Sequence, residues 1–155
     1  MEYLEKFQIK FFDDEMKIKN SQFGEVEFDE NIIIPFPEGI IGFEDLKRFI
    51  IIHDEDCEPF RWLISVDEPE VGFAILEPSL VVQDYYVRAG FDPEVYALFV
   101  IVTLSHEISK ISVNLKAPVV IDKVKNLGRQ VILENADFEV SYFFIWMNKE
   151  KFTRV

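Results

Sequence analysis

The fold is decided by the stretch at residues 60–66, which reads Phe-Arg-Trp-Leu-Ile-Ser-Val. Apolar side chains fall at every second position from Phe60 to Val66, with Arg61 and Ser65 between them, which is the period-two pattern of a half-buried strand. The same alternation occurs at 25–28 and at 110–115. Continuous apolar runs rich in β-branched and aromatic residues indicate more buried strands at 32–34, 49–52, 99–102, 119–121 and 131–133.

Turn signals separate these strands. Phe36-Pro37-Glu38-Gly39 predicts a type I turn with Pro37 at its second position and Gly39 at its fourth. Further turns are indicated at 67–70, 89–90 and 126–128, and only 44–48 and 93–97 suggest a turn or two of helix. Many short strands with few helices predict an all-β, mostly antiparallel domain, built as a small sandwich or as a barrel-like sheet.

The chain of 155 residues has the length of one domain with one core. Residues 1–15 precede a second methionine, Met16, and are interpreted as an N-terminal extension or an alternative start. The β domain spans 16–140. The remaining residues, 141–155, form an aromatic C-terminal tail, and its run from Tyr142 to Trp146 is predicted to be a last strand or short helix that covers the core.

The charge balance bears on possible partners. Sixteen Lys and Arg face 29 Asp and Glu, for a net charge of -13. Such a surface repels phosphate backbones and anionic lipids, so nucleic-acid and membrane binding are disfavoured, whereas a basic partner would be attracted. The alternative is that the charge only keeps the domain soluble. A single cysteine, the acidic start of the chain and the shortness of the apolar runs favour a cytoplasmic protein.

No catalytic or metal-binding pattern emerges. His53 and His106 lie far apart and outside any known metal spacing, and the acidic run at 54–56 lacks the features of a calcium loop. No serine sits in a nucleophile elbow, and the acids around Cys57 are expected to raise the pKa of its thiol and reduce its reactivity. The chain is therefore predicted to be neither an enzyme nor a cofactor-binding protein.

Four blocks resemble the FliW family of flagellar assembly factors. The segment Phe36-Pro37-Glu38-Gly39-Ile40-Ile41-Gly42-Phe43 is similar to the family's Phe-Pro-x-Gly-Ile-x-Gly-Phe signature. Residues 62–66 followed by Asp67, Pro69, Gly72, Phe73 and Pro78 resemble a second block, residues 114–121 (including Asn114 and Pro118) a third, and residues 129–133 a fourth. The order and spacing of the blocks are kept from about Met16 to about Phe138. Residues 1–15, the aromatic tail and a short 87–96 stretch depart from the pattern.

The resemblance implies a partner-switching protein with a barrel-like β fold. Such a protein binds flagellin before export. When free of flagellin, it binds the translational regulator CsrA away from the RNA-contacting surface, so that flagellin mRNA is translated. The resemblance thus implies two protein partners, with no direct nucleic-acid or membrane contact, and a free protein expected to be a monomer. An exposed strand edge is a suitable place to capture a segment of flagellin.

Residues predicted to contact a partner differ from those predicted to shape the backbone. Adjacent aromatic residues cannot both be buried on one sheet face, and tyrosine is favoured at interfaces. The predicted contact residues are Asp67, Glu68, Glu70, Asp84, Tyr85, Tyr86 and Ile132. The predicted architectural residues are Phe36, Pro37, Gly39, Gly42, Phe43, Pro69, Pro78, Asn114 and Pro118. Two other classes remain open: a β-barrel that binds a small apolar ligand inside, and an enzyme with a tertiary carboxylate pair.

Overall fold

The structure is a computed structural model that describes residues 15–134, 136–148 and 151–154. The described strands are β1 (Glu15–Asn20), β2 (Gly24–Asp29), β3 (Ile34–Pro35), β4 (Arg48–His53), β5 (Arg61–Ser65), β6 (Gly72–Leu76), β7 (Tyr96–Thr103), β8 (Ser112–Val113), β9 (Val119–Asp122), β10 (Leu127–Gln130), β11 (Tyr142–Asn148) and β12 (Lys151–Arg154). An α-helix, α1, spans Tyr85–Ala89, and 3-10 turns lie at Glu30–Ile32, Glu55–Cys57, Pro78–Leu80 and Ile108–Lys110.

Ten of the strands form one antiparallel sheet. Its order is β12-β11-β8-β7-β6-β5-β4-β3, and β9 pairs with both β7 and β10. The long strand β7 makes this branching possible, because one edge pairs with β9 at Tyr96–Phe99 and with β8 at Val102 and Thr103. The strands β1 and β2 form a separate hairpin. The predicted all-β, mostly antiparallel fold is confirmed.

The sheet curls but does not close into a barrel. Its free ends β3 and β10 lie side by side without a strand ladder between them. A side chain bridges them instead, since Asn126 Nδ2 donates to the carbonyl oxygen of Ile33 at 3.0 Å. The ring of Phe36 fills the space against Gly128, where even a Cβ atom would overlap it.

Both faces of the sheet are covered. Directly opposite residues share a face, so Ile50, Ile64 and Ala74 lie on one side and Leu63, Ile75 and Phe99 on the other. The first side is covered by the β1–β2 hairpin and by α1, and the second by the turn that follows β3. Burial on both faces explains why β5 is buried at three successive positions, 63–65, although its sequence alternates.

Three predicted strands are wrong in part. The run at 32–34 contributes only Ile34 to β3, because a 3-10 turn occupies Glu30–Ile32. The alternating stretch at 110–115 forms only the two-residue strand β8, because a 3-10 turn occupies Ile108–Lys110. The run at 131–133 forms no strand, although Val131 and Leu133 donate their N–H groups to the carbonyls of Pro118 and Lys116. Since Pro118 has no N–H group to return, a reciprocal ladder cannot form there.

The structure describes more of the C-terminal end of the chain than of its N-terminal end. Apart from Glu15, the predicted extension at 1–15 lies outside the described residues. The aromatic run contributes β11, which pairs with β8 through Tyr142 and Phe143, so that this part of the tail is a strand of the main sheet. Among the described residues, no helix is long and apolar enough to span a membrane.

Candidate protein-binding surfaces

The turn at 36–43 combines a buried base with an exposed tip. Phe36 and Ile40 are almost fully buried, and the N–H group of Gly39 donates to the carbonyl of Phe36 at 2.9 Å, as the predicted turn requires. At the tip, Ile41 and Phe43 remain 56% and 40% exposed. The buried side chains of Phe36 and Ile40 therefore hold the turn against the core, while Ile41 and Phe43 are exposed to solvent at its tip.

A glutamine connects this tip to the segment that carries Ile132. Gln130 Oε1 accepts from the N–H group of Ile41 at 2.9 Å, while Nε2 donates to the carbonyl of Ala117 at 3.1 Å. Ile132 lies two residues beyond and is 52% exposed. We call the exposed side chains of Ile41, Phe43 and Ile132 the apolar tip surface. Gln130 connects the two segments that carry these side chains, and exposed apolar surface is typical of protein interaction sites.

The corner after the tip is stabilised by a carboxylate. Glu44 Oε2 accepts from the N–H group of Gly42 at 2.9 Å. This backbone hydrogen bond, helped by the backbone of Glu44 itself and by Lys47, lowers the pKa of the exposed Glu44 carboxyl.

We expect an NMR pH titration to give a Glu44 pKa below the ordinary value for a glutamate. A pKa that is lower in the folded state contributes stability above the unfolded pKa, and this contribution is lost as the pH falls through the folded pKa. Glu44→Gln should remove the contribution of Glu44 to the loss of folding stability at low pH. Glu38→Gln, a substitution in the same turn, serves as the control. An ordinary Glu44 pKa would contradict the hydrogen bond.

The acids of the predicted contact set at 67–70 mostly hold the β1–β2 hairpin and β4 in place. Asp67 Oδ1 accepts from Arg48 Nη2 at 2.6 Å. Glu70 Oε1 accepts from the backbone N–H and the hydroxyl of Ser21 at 2.7 and 2.9 Å. All three acids, Asp67, Glu68 and Glu70, are exposed, so they stay candidates for partner contact, with two of them already bound within the chain.

The prediction that Tyr85 contacts a partner is corrected. Tyr85 is fully buried, its hydroxyl donates to the carbonyl of Leu115, and its ring lies 4.7 Å from that of Phe138. Burial strongly raises the pKa of the hydroxyl. The prediction assumed a strand, whereas both tyrosines lie in α1, where successive side chains are about 100° apart and can both turn inward.

The neighbours of Tyr85 are more accessible. Tyr86 is half-buried, and its hydroxyl oxygen accepts from the N–H group of Leu98 at 2.8 Å. Asp84 precedes α1 on the surface, 3.9 Å from Arg88 Nη1. Of the three residues predicted here, Asp84 is exposed but lies beside Arg88, and Tyr86 is partly accessible.

The other architectural residues lie at turns. Asn114 Oδ1 accepts from the N–H groups of Lys116 and Ala117, both at 3.1 Å, and so shapes the backbone that leads to Pro118. Pro69 offers its carbonyl to Asn20 Nδ2 at 2.7 Å. Pro78 is buried and is the first residue of a 3-10 turn. Glu77 precedes this turn and caps it, because its carboxylate accepts from the N–H group of Ser79.

The side chains that could bind a metal or act in catalysis are dispersed over the described residues. His53 Nε2 lies 2.7 Å from Glu58 Oε1, and His106 is exposed elsewhere. No three His, Cys, Asp or Glu side chains of the described residues are grouped as a metal site. Burial, followed by the charge of Asp54, raises the pKa of Cys57. The raised pKa agrees with the prediction, although burial is its main cause.

The interior offers no support for a ligand-binding barrel. Phe36, Phe49, Leu63 and Ile75 are each fully buried against one another in the curl of the sheet, and the rings of Phe36 and Phe49 lie 5.0 Å apart. Clefts of about 310, 570, 340 and 250 Å³ are formed by the described residues at the surface and have mixed polar and apolar linings. The fold thus defines a packed β domain whose described features are surface turns, grooves and strand edges.

Comparison with known proteins gives the family. The model of the family described as FliW protein matches residues 17–144. The flagellar assembly factor FliW of Ruminiclostridium cellulolyticum is 36% identical over 140 residues, which cover 84% of this chain and 95% of that protein. The FliW of Carboxydothermus hydrogenoformans is 39% identical over 137 residues, covering 82% and 88%.

A solved structure agrees with these sequence matches. The crystal structure of the flagellar assembly factor FliW superimposes with a TM-score of 0.73 at 32% identity, covering 83% of this chain and 96% of the other. The chain belongs to the FliW family, and the resemblance of its four sequence blocks is confirmed.

Proposed function

We propose that this chain is a cytoplasmic flagellar assembly factor that binds flagellin. When free of flagellin, it binds CsrA and antagonises it allosterically, so that flagellin mRNA is translated. Family membership over residues 17–144 is the observation that carries the proposal. The packed interior also favours a protein-binding role over a ligand-binding barrel. The net charge of -13 is compatible with a protein that attracts a basic regulator and repels RNA.

The apolar tip surface is our candidate for the flagellin contact. Its members Ile41, Phe43 and Ile132 are exposed aliphatic and aromatic side chains on backbone that Gln130 holds in place. A fixed apolar surface binds without first ordering its own chain, which reduces the entropic cost of association. The exposed acids Asp67, Glu68, Glu70 and Asp84, with the accessible edge of Tyr86, complete the proposed contacts.

A competition experiment tests the switch. The protein is titrated into purified CsrA bound to a labelled flagellin leader RNA, and free flagellin is then added. We expect release of RNA on the first addition and its return to CsrA on the second. Unchanged RNA binding with the cognate regulator at moderate salt would overturn the proposed function.

A pair of variants locates the flagellin contact. Ile132→Asp places a charge in the apolar tip surface and should weaken flagellin binding about tenfold or more, since it buries an unpaired charge at an interface. Val140→Asp changes an equally exposed aliphatic residue, 59% against 52%, outside that surface. Equal affinity of both variants and the wild type for flagellin, measured by calorimetry, would exclude this surface as the contact.

A further inference from the structure

A groove of about 570 Å³ runs along β2. One wall consists of Phe23 and residues of β2, and the other of the end of β4 and the 3-10 turn that follows it. The described lining residues are Phe23, Glu25, Val26 and Glu27 on one side, and Ile52, His53, Asp54, Glu55 and Asp56 on the other.

The groove lies at the free edge of β2. Successive strand residues point to opposite faces, so a cleft lined by three of them in a row, 25–27, must lie beside the strand rather than above it. No described residue of β1 lines the groove, and the strand ladder joins β2 to β1 alone. The backbone groups on the groove side of β2 are therefore open to another extended chain.

The two faces of β2 supply different side chains to this edge. Val26 packs with Ile52 in the cluster between hairpin and sheet, which gives the groove an apolar inner side. Glu25 and Glu27 point to the opposite face and are about half-exposed. An added strand would thus meet glutamates at alternate positions and an apolar side chain between them.

The charges of the groove are strongly one-sided. Five carboxylates line it, from Glu25, Glu27, Asp54, Glu55 and Asp56, and none of its described lining residues is Lys or Arg. Two lysines of β1 lie directly opposite these glutamates, Lys17 opposite Glu27 and Lys19 opposite Glu25, and Lys17 Nζ lies 3.4 Å from Glu27 and 3.9 Å from Glu25. Two cations therefore face Glu25 and Glu27, and the three acids at 54–56 remain in excess. The opposite wall has His53, which is held by Glu58 at 2.7 Å. The groove therefore keeps a net negative charge that a cationic ligand would neutralise.

We propose that this groove is a docking site for an extended basic segment of a protein partner, which adds to the free edge of β2 as a third strand. Its backbone pairs with β2, its alternate Lys or Arg side chains lie opposite Glu25 and Glu27, and an apolar residue between them packs near Val26. The acids of the 54–56 wall attract a further cation of the segment. Main-chain pairing provides affinity here and the alternate side chains provide selectivity. This proposal does not depend on the function proposed above.

The test uses a fluorescent peptide that alternates Lys and Val, with the full-length protein in fluorescence anisotropy. We expect saturable binding that Glu25→Gln/Glu27→Gln weakens about tenfold, because the double substitution removes both proposed cross-strand charge pairs. The matched control Glu94→Gln/Glu134→Gln removes two exposed acids outside the groove lining and should change the affinity less than about twofold. Unfolding curves verify that both double variants fold.

A second peptide separates strand addition from charge attraction. The same sequence with alternate backbone amides methylated keeps every charge but cannot form the ladder, so its affinity should also fall about tenfold. The proposal is overturned if the methylated peptide binds as well as the parent, or if the control variant weakens binding as much as Glu25→Gln/Glu27→Gln. Self-association of the free protein that these two substitutions abolish would instead assign the edge to a second copy of the chain.

Discussion

Gly39→Ala is expected to destabilise the protein by about 2–5 kcal/mol. Gly39 has φ of +68°, where an L side chain costs about 1–2 kcal/mol. In addition, a Cβ atom there would lie 2.7 Å from the carbonyl oxygen of Phe43 and from the Cα of Glu44. Both are backbone atoms, so the turn has to move, and such overpacking costs about 1–3 kcal/mol more.

Gly24→Ala is the matched control for this prediction. Gly24 has φ of +70°, but nothing lies within 4 Å of the position of its Cβ atom. Its substitution should therefore cost only the conformational part, about 1–2 kcal/mol. Urea unfolding of the two variants measures the difference, and each kcal/mol corresponds to about 2–4 °C in the melting temperature for a chain of this size. Equal losses would mean that the contacts around Gly39 relax without cost.

Tyr85→Ala should cost about 3–5 kcal/mol. The side chain is fully buried beneath α1, and truncating a buried aromatic residue leaves a cavity. The carbonyl of Leu115 also loses its hydrogen-bond donor. Tyr85→Phe isolates this second effect and should cost about 1–3 kcal/mol, because it leaves a buried acceptor without a partner.

A substitution in the same helix controls for helix effects. Val87 is 83% exposed, so Val87→Ala should change the unfolding free energy by less than about 0.5 kcal/mol. A surface role for Tyr85 predicts the opposite result, with Tyr85→Ala as stable as Val87→Ala and defective only in partner binding. Denaturant unfolding of the purified variants therefore decides between a core and a contact role.

Most of the strands could be predicted because their patterns are local. The alternation at 60–66 and the apolar runs at 49–52, 99–102 and 119–121 correspond to β5, β4, β7 and β9. The turn at 36–39 also follows from local chemistry, since proline and glycine restrict or permit particular backbone angles. The error at 131–133 has a distant cause, since Pro118 prevents a ladder there, whereas the error at 110–115 has a local one, the 3-10 turn at Ile108–Lys110.

The residues that form the candidate binding surfaces were harder to predict from the sequence than the strands. A strand at 84–86 would leave one tyrosine exposed, whereas the segment is the start of α1. Gly90, which ends α1 in the left-handed conformation, is a common helix stop signal. The glutamates of β2 showed a clear alternation in sequence. Only the packing of the hairpin on β4 shows that they border a groove with the acids of 54–56.

The sequence by itself determined the strand character, the turn at 36–39, the acidic surface and the FliW resemblance, because each depends on residues close together in the chain or on composition. The tertiary structure decided which side chains are buried, which acids are bound within the chain, and which strand edges stay free. These properties depend on contacts between distant residues, such as Gln130 with Ile41 and Ser21 with Glu70. Local periodicity carries no information about such contacts, since it specifies the face of a strand but not what covers that face.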